Sequence, residues 1–475
     1  MICPNEQERS VSSDIAVDTP SPQAASALVE HLRNSFRSKS TDVVGDLRVI
    51  ANRRSYFLRK ACNLEGWNLV RGAYTMTQPV NVEALRQASY IVAKHHDGLR
   101  LRASFTDGVW AEEIVQVELA APFVSLRRQD EKQLARYLTD ASADVQRSQT
   151  FSRDLFHVVH VWTPQGDFVF FVIHHLLCDA YSSNLVIQDF FAAYDAFRRG
   201  NAPALPGKTT SYRDYCIGSQ AYWMARSSKD MAFWRGLPWD QVRPLLPHFP
   251  DQADANIERF TVTKARPTTL NRDRIRSLQR ITGWSAAELI LGAIARAYCR
   301  WTGQEVLHIA LVLHGRESFL AELDLSRTVG WISETVPILL RGNLPLPDLL
   351  REARVLLRQA IFRGKSYGVL RYQSPDFSEL KAHPDADVSL NLNLSTPRAL
   401  YSPEIFDRDP AYKLKPETAG STKRVFLLSG GTYFDDAGNL VLSWDFSRKL
   451  FQKEKVSDLL DSCLENLCGL LEIIH

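Results

Sequence analysis

Six consecutive residues, Phe168-Val-Phe-Phe-Val-Ile173, set the first limit on what this chain can fold into. Aromatic and β-branched side chains at every position leave no polar face, so the stretch reads as a strand covered on both sides. A second apolar run, His157-Val-Val-His-Val-Trp162, precedes it, and Thr163-Pro-Gln-Gly-Asp167 between them supplies turn residues, which predicts an antiparallel hairpin. After Asp179 the apolar positions change to Ile187, Phe190, Phe191 and Tyr194, the spacing of a helix face, closed by Arg198-Arg199-Gly200. His174 and His175 therefore stand where a buried strand gives way to a helix.

That position has chemical consequences. Strand side chains alternate faces, so His174 and His175 point in opposite directions, one into packed protein and the other toward a cavity. A neutral imidazole carries a free lone pair and an ordinary pKa of about 6.5, which suits a general base near neutral pH. Asp179, on the turn into the helix, is placed to hold the ring or to pair with an arginine that braces the loop. The same residues also fit an ordinary core or interface position. A metal site is not predicted, because no further His, Cys, Asp or Glu cluster has the spacing to complete one. Cys178 and Ser182 lack an identifiable partner that would make either a nucleophile.

The chain has 475 residues, 45% hydrophobic and 23% charged, enough for two lobes with substantial cores. Its formal charge of +3 comes with no long basic run, so nucleic-acid binding is not indicated. The start has no apolar core of a secretory signal, and no run approaches the roughly 18 apolar residues of a membrane span. The seven cysteines are scattered without a Cys-x-x-Cys pair, which fits a reducing, cytoplasmic setting.

Residues 1–45 are rich in Ser, Asp, Gln and Pro and read as a tail or loosely docked arm, with a helix pattern at Ala24–Phe36. Val82 to Lys94 reads as an amphipathic helix, followed by His95-His96-Asp97-Gly98-Leu99-Arg100 and a hairpin turning at Thr106-Asp-Gly108. Gly200 to Thr210 is a hinge, and a helix from Asp214 to Trp234 links the halves, dividing the chain into lobes at 46–212 and 213–475. The stretch Ser285 to Trp301 is apolar almost all round and predicts a buried helix leading into a strand at Val306–Val312. A hairpin from Val425 to Phe446 and a terminal amphipathic helix from Glu454 finish the chain. Arg351, Arg354 and Arg358 would share one helix face.

His174-His175-Leu-Leu-Cys-Asp179-Ala180 resembles the His-His-x-x-x-Asp-Gly signature of the condensation-domain superfamily of nonribosomal peptide synthetases. Leu99-Arg100 and Tyr212-Arg-Asp214-Tyr215 resemble further elements of that family, whereas Asn52-Arg-Arg-Ser-Tyr56-Phe57 matches its opening motif poorly. His314-Gly315-Arg316-Glu317, Arg327-Thr328-Val329-Gly330-Trp331 and Ser366-Tyr367-Gly368 look most like the epimerization subtype. The resemblance extends over about residues 50 to 475. Four positions depart from it. Val312 and Leu313 stand where the subtype has Glu-Gly, Ser183 stands for its Trp, and Ala180 for Gly, which would disfavour a positive φ at that place.

The resemblance implies an α/β fold of two chloramphenicol-acetyltransferase-like lobes, each of mixed sheet and helices, forming a V with a central cleft. It implies a freestanding enzyme that joins an acyl thioester to an amine or alcohol, with His175 as base or positioning group. His174 would be structural. Asp179, bridged to Arg327 or Arg100, would hold the loop. Ala180, Ser182, Val312, His314, Trp331, Ser333, Glu334 and Tyr367 would line the cleft. No bound cofactor or metal is expected. On this resemblance the substrate would be a small molecule whose acyl group rides on phosphopantetheine or coenzyme A, with a carrier protein or synthetase supplied in trans and the enzyme itself a monomer. The altered subtype residues argue against epimerase activity. They also leave open a cleft converted to cyclisation, elimination or rearrangement of an untethered intermediate, and a non-catalytic docking module.

Overall fold

The computed structural model describes residues 43–47 and, with breaks at 107–108, 118–121, 130–132, 154, 251–259, 267–268, 318, 320–321, 373–377, 395–404, 409–413, 415–423 and 436, residues 68–472. The helix pattern at Ala24–Phe36 and the Asn52–Phe57 stretch lie outside them.

The first half contains β1 (Gly45–Leu47), β2 (Asn68–Met76), α1 (Val82–His95), β3 (Leu101–Thr106), β4 (Val109–Ile114), β5 (Phe123–Arg127), α2 (Leu134–Ser148), β6 (Phe156–Thr163), β7 (Gly166–His174) and α3 (Ala180–Arg198). The expected hairpin is β6–β7, antiparallel from Phe156 opposite Ile173 to Thr163 opposite Gly166. β7 is covered on both faces, and its alternation is complete. Val169, Phe171 and Ile173 pack with Phe190 and Phe191 of α3, whereas Phe168, Phe170 and Val172 pack with Leu138, Ala141 and Val145 of α2. Each such side chain contributes about 1.5–3 kcal/mol when fully buried, so a one-residue slip of β7 would exchange both faces at once.

The second half contains α4 (Tyr212–Arg235), β8 (Phe260–Ala265), α5 (Arg272–Thr282), α6 (Ala286–Thr302), β9 (Val306–Leu313), β10 (Glu334–Arg341), α7 (Leu346–Tyr372), α8 (Ser378–Ala382), β11 (Val388–Asn393), β12 (Phe406–Arg408), β13 (Leu428–Phe434), β14 (Leu440–Phe446) and α9 (Lys453–Glu472). Its sheet runs β10-β9-β11-β13-β14-β8, with β11 parallel to both neighbours. α6 starts where the sequence supplies a cap: the Ser285 hydroxyl accepts the Glu288 N–H and the Glu288 carboxylate accepts the Ser285 N–H.

The two halves are not sealed from each other. α4 contributes Tyr212, Tyr215 and Cys216 to the first core and Met231 and Trp234 to the second. β12 crosses back to pair with β2 at the edge of the first sheet, ordered β12-β2-β7-β6-β5, and Phe406 stacks on Phe191 with ring centroids 3.6 Å apart. Leu323, Leu325, Val329, Trp331 and Ile332 also enter the first core. At the other end, the polar arm read over residues 1–45 is built in at its last residues: Val43 is buried, its carbonyl accepts from Arg100, and β1 pairs with β4.

Candidate active site

β7 ends on His174, which continues the buried alternation of Phe170 and Val172. Its ring packs edge-on against Phe151 at 5.5 Å, its Nδ1 accepts the Leu176 N–H at 3.1 Å, and its backbone N–H donates to the Leu155 carbonyl. His175 leaves the strand in the other direction. It keeps part of its surface open and sets its ring against Trp331, centroids 4.9 Å apart. Removal of most of its water lowers its pKa to about 4, so the imidazole is neutral at physiological pH.

Asp179 is the centre of the loop. It caps α3 by accepting the Ser182 N–H at 2.8 Å, and it accepts the Ile332 and Ser333 N–H groups at 3.1 and 3.0 Å. Arg316 closes the set with Nη1 to Oδ2 at 2.9 Å and Nη2 to Oδ1 at 3.1 Å. Burial alone would push the carboxyl upward, but the Arg316 charge and hydrogen bonds, with the backbone donors, outweigh it and hold it below the usual carboxylate range. The expected bridge to Arg327 or Arg100 is thus replaced by one to Arg316. Arg327 instead grips both oxygens of Asp189 on α3, which also contacts Nε2 of His96 at 2.7 Å. Arg100 donates to the backbone carbonyls of Ala93, Val115 and Val43.

Arg316 reaches Asp179 because Gly315 turns the chain in the left-handed region at φ 69°, where an added Cβ would lie 2.2 Å from the Ile332 carbonyl. The partner segment is equally tight. Gly330 lies flat against the Tyr212 ring, where a Cβ would come within 2.0 Å, and the Tyr212 hydroxyl donates to the Trp331 carbonyl at 3.1 Å. Segments from both halves therefore converge on one loop, and what it presents is a neutral histidine against an indole.

The condensation-domain family profile matches residues 50–473. The chain belongs to the condensation-domain family. A linear gramicidin synthase of Brevibacillus parabrevis is 31% identical over 74% of this chain and 7% of that protein. Tyrocidine synthase 2 of the same organism is 24% identical over 95% of this chain and 13% of that protein. The chain thus spans a small part of the length of the curated relatives it matches. Among solved structures, the epimerization domain from the third module of a tyrocidine synthetase superposes with a TM-score of 0.80 at 24% identity, covering 92% of this chain and 99% of that one. The condensation domain of the monacolin K polyketide synthase gives 0.69 at 14% identity, covering 90% and 98%. The fold is accordingly the mixed α/β, chloramphenicol-acetyltransferase-like one. Members of the family are acyltransferase-like enzymes of nonribosomal-peptide-type biosynthesis that act on carrier-bound substrates. Among the described residues no helix is long and apolar enough to cross a membrane.

The remaining residues expected along the condensation-domain cleft divide. Trp331, as above, covers His175, and Ser333 offers its N–H to Asp179. Ser182 is a correction: it is fully buried, its hydroxyl donating to the Gly330 carbonyl and accepting from the Gly330 N–H and Arg316. Tyr367 is another, lying in the second core against Trp234 and accepting from Arg371 at 2.6 Å. Ala180 opens α3, and Gln133 alone among the described non-glycine residues has a positive φ, so no glycine freedom is demanded at Ala180. His314 is exposed, with Nε2 at 3.3 Å from Glu317. Val312 is half-buried on β9 opposite Thr335, and Glu334 is buried at the start of β10.

Cys178 is fully buried and its thiol is pushed up by burial, which removes it as a nucleophile. The arginine row on α7 is partly occupied: Arg354 binds Glu288 at 2.9 Å and stacks over Trp284, and Arg351 pairs with Asp348. Sequence spacing also missed a group that folding assembles. His95, His96 and Asp189 bring ligand-type atoms within 4.8 Å of one another, although Arg327 already places a cation on both Asp189 oxygens.

Proposed function

We propose that this condensation-family chain joins an acyl thioester to an amine, with His175 as the group that positions and deprotonates the nucleophile. The observation that carries this reading is the state of His175: a neutral imidazole, partly open, on a loop fixed by Asp179 and Arg316 and backed by Trp331. Nucleophilic attack forms the C–N bond as a proton leaves nitrogen for the imidazole lone pair. Collapse of the tetrahedral centre breaks the C–S bond, and the proton passes to the departing thiolate. Asp179 takes no proton in this scheme; its carboxylate is already saturated with donors and holds the loop. An alcohol nucleophile would follow the same steps to an ester.

The acyl group is proposed to ride on phosphopantetheine of a carrier protein or on coenzyme A, the enzyme to act in the cytoplasm as a monomer, and the product to belong to specialised metabolism. Stereoinversion at the acyl α-carbon is not part of the proposal, because Val312 cannot exchange a proton. The test begins with untargeted metabolite comparison in cells with and without the gene, then reconstitution of the acyl donor and nucleophile so identified. His175→Ala is expected to lower turnover by about 10²–10⁴-fold with the fold retained. Wild-type turnover in that variant would reduce His175 to a wall of the pocket and overturn the reading.

A further inference from the structure

Lys365 lies on α7 with its ammonium inside the protein, and the chemistry above makes no use of it. A buried ammonium is costly unless several groups compensate it. Here Nζ donates to the Tyr215 hydroxyl at 3.0 Å and to the Gly315 carbonyl, and it lies 4.8 Å from the Tyr215 ring centroid and 5.5 Å from that of Phe319. Glu334 supplies negative charge from β10. The two-residue period puts Glu334 on the same face as Val336, and Val336 closes on Gly364, the neighbour of Lys365, so tightly that a Cβ there would be 2.6 Å from it.

The contact with Gly315 links this cluster to the catalytic loop. Gly315 immediately precedes Arg316, and its left-handed backbone approaches the Ile332 carbonyl so closely that no side chain would fit between them. Lys365 holds that carbonyl, and the next residue holds Asp179. We propose that Lys365 is a positioning residue for His175: by fastening the Gly315 carbonyl it keeps Arg316 on Asp179, and through that carboxylate it sets the loop that presents the imidazole. This deepens the reading of His175 as the base, but the linkage itself is geometric and can be tested without turnover.

The groups facing Lys365 come from every element around it: Tyr215 from α4, Glu334 from β10, Arg316 and Glu317 from the turn after β9, and Asp179 from the cap of α3. Burial lowers its pKa, opposed by Glu334, Glu317 and Asp179 and assisted by Arg316, to about 8. Deprotonation turns a charge-assisted hydrogen bond to Gly315 into a weaker neutral one. His175 does not itself titrate there, because burial lowers its pKa to about 4.

The experiment is a pH series from 6.5 to 9.5 on the whole chain with ¹³C-labelled histidine Cε1, the His175 signal being assigned by its loss in His175→Gln. The wild type should show a step in that signal centred near pH 8. Lys365→Arg keeps a permanent cation and should abolish the step. Lys365→Met should hold the signal near its alkaline position at every pH; if that variant does not fold, the arginine variant decides. A flat wild-type profile, or a step that survives in Lys365→Arg, would overturn the proposal. Failure of His175 as the base would appear separately, as undiminished turnover in His175→Ala, and would leave the nuclear magnetic resonance result standing.

Discussion

Arg316 holds Asp179 across the seam between the two halves of the chain by two hydrogen bonds of 2.9 and 3.1 Å, both side chains being almost wholly buried. Neither charge has bulk water to return to if its partner is removed. Arg316→Leu should therefore cost about 3–5 kcal/mol in chemical denaturation. Asp179→Asn should also be destabilising, and the double variant should lose clearly less than the sum. Arg327→Leu, which severs a different carboxylate, should add its effect independently to Asp179→Asn. Strong coupling between Arg327 and Asp179, with none between Arg316 and Asp179, would contradict this pairing.

The adjacent histidines should separate in their effects. His174 is fully enclosed, packs against Phe151 and accepts a loop N–H, so His174→Ala opens a cavity and leaves a buried donor without its acceptor. Its melting temperature should fall well below that of His175→Ala, whose ring is partly open. Circular dichroism melts of the two variants give the comparison, and equal losses would mean that the two rings carry similar packing roles.

Much of this arrangement was legible in the chain, and the rest was not for identifiable reasons. The run from Phe168 to Ile173 could only be a doubly covered strand, and the change of period after Asp179 could only be a helix, so the place of His174 and His175 followed from local pattern. The partner of Asp179 did not. Arg316 is 137 residues away, and Arg100 and Arg327 were equally plausible until the turn at Gly315 was known to aim Arg316 inward. Ser182 and Tyr367 were misplaced for a related reason. A motif marks a neighbourhood, but whether a hydroxyl faces solvent or the Gly330 backbone depends on tertiary approach that spacing does not encode. The pairing of β12 with β2 is likewise invisible in a three-residue strand whose partner is some 330 residues earlier.

Three histidines, His175, His95 and His308, have pKa values lowered from 6.5 to about 4, in each case first by burial. Between pH 4 and 6.5 the unfolded chain binds protons at these sites and the folded chain does not, so stability rises with pH across that window. Their contribution is complete above pH 6.5 and is lost as pH falls toward 4. Melting temperature measured from pH 7.5 to 4.5 should fall on the acid side, and His175→Gln should flatten part of the slope. The acid limb of kcat/KM should lie near pH 4 rather than 6.5. A limb at 6.5 that disappears with His175 would show that the ring is fully solvated.

Val312 carries the prediction on stereochemistry. Inversion at an α-carbon needs a proton removed from one face and another delivered to the opposite face, which two positioned groups do best. In its proposed role His175 serves one face. Val312 stands where the resemblance to the epimerization subtype puts a glutamate, half-buried on β9 with Leu313 beside it packed onto the second core. Glu334, opposite Leu313 in the β9–β10 ladder, is buried on the face of β10 that meets α7, beside the Lys365–Tyr215 pair. Incubation with carrier-bound L-aminoacyl substrates in deuterated buffer should therefore yield no deuterium-labelled D product by chiral chromatography and mass spectrometry. Val312→Glu restores a carboxylate at the missing position and should produce α-deuteration if the substrate reaches both groups. Labelled D product from the unmodified protein would overturn the prediction, and its loss in Glu334→Gln, with wild-type melting, would assign the second face to Glu334.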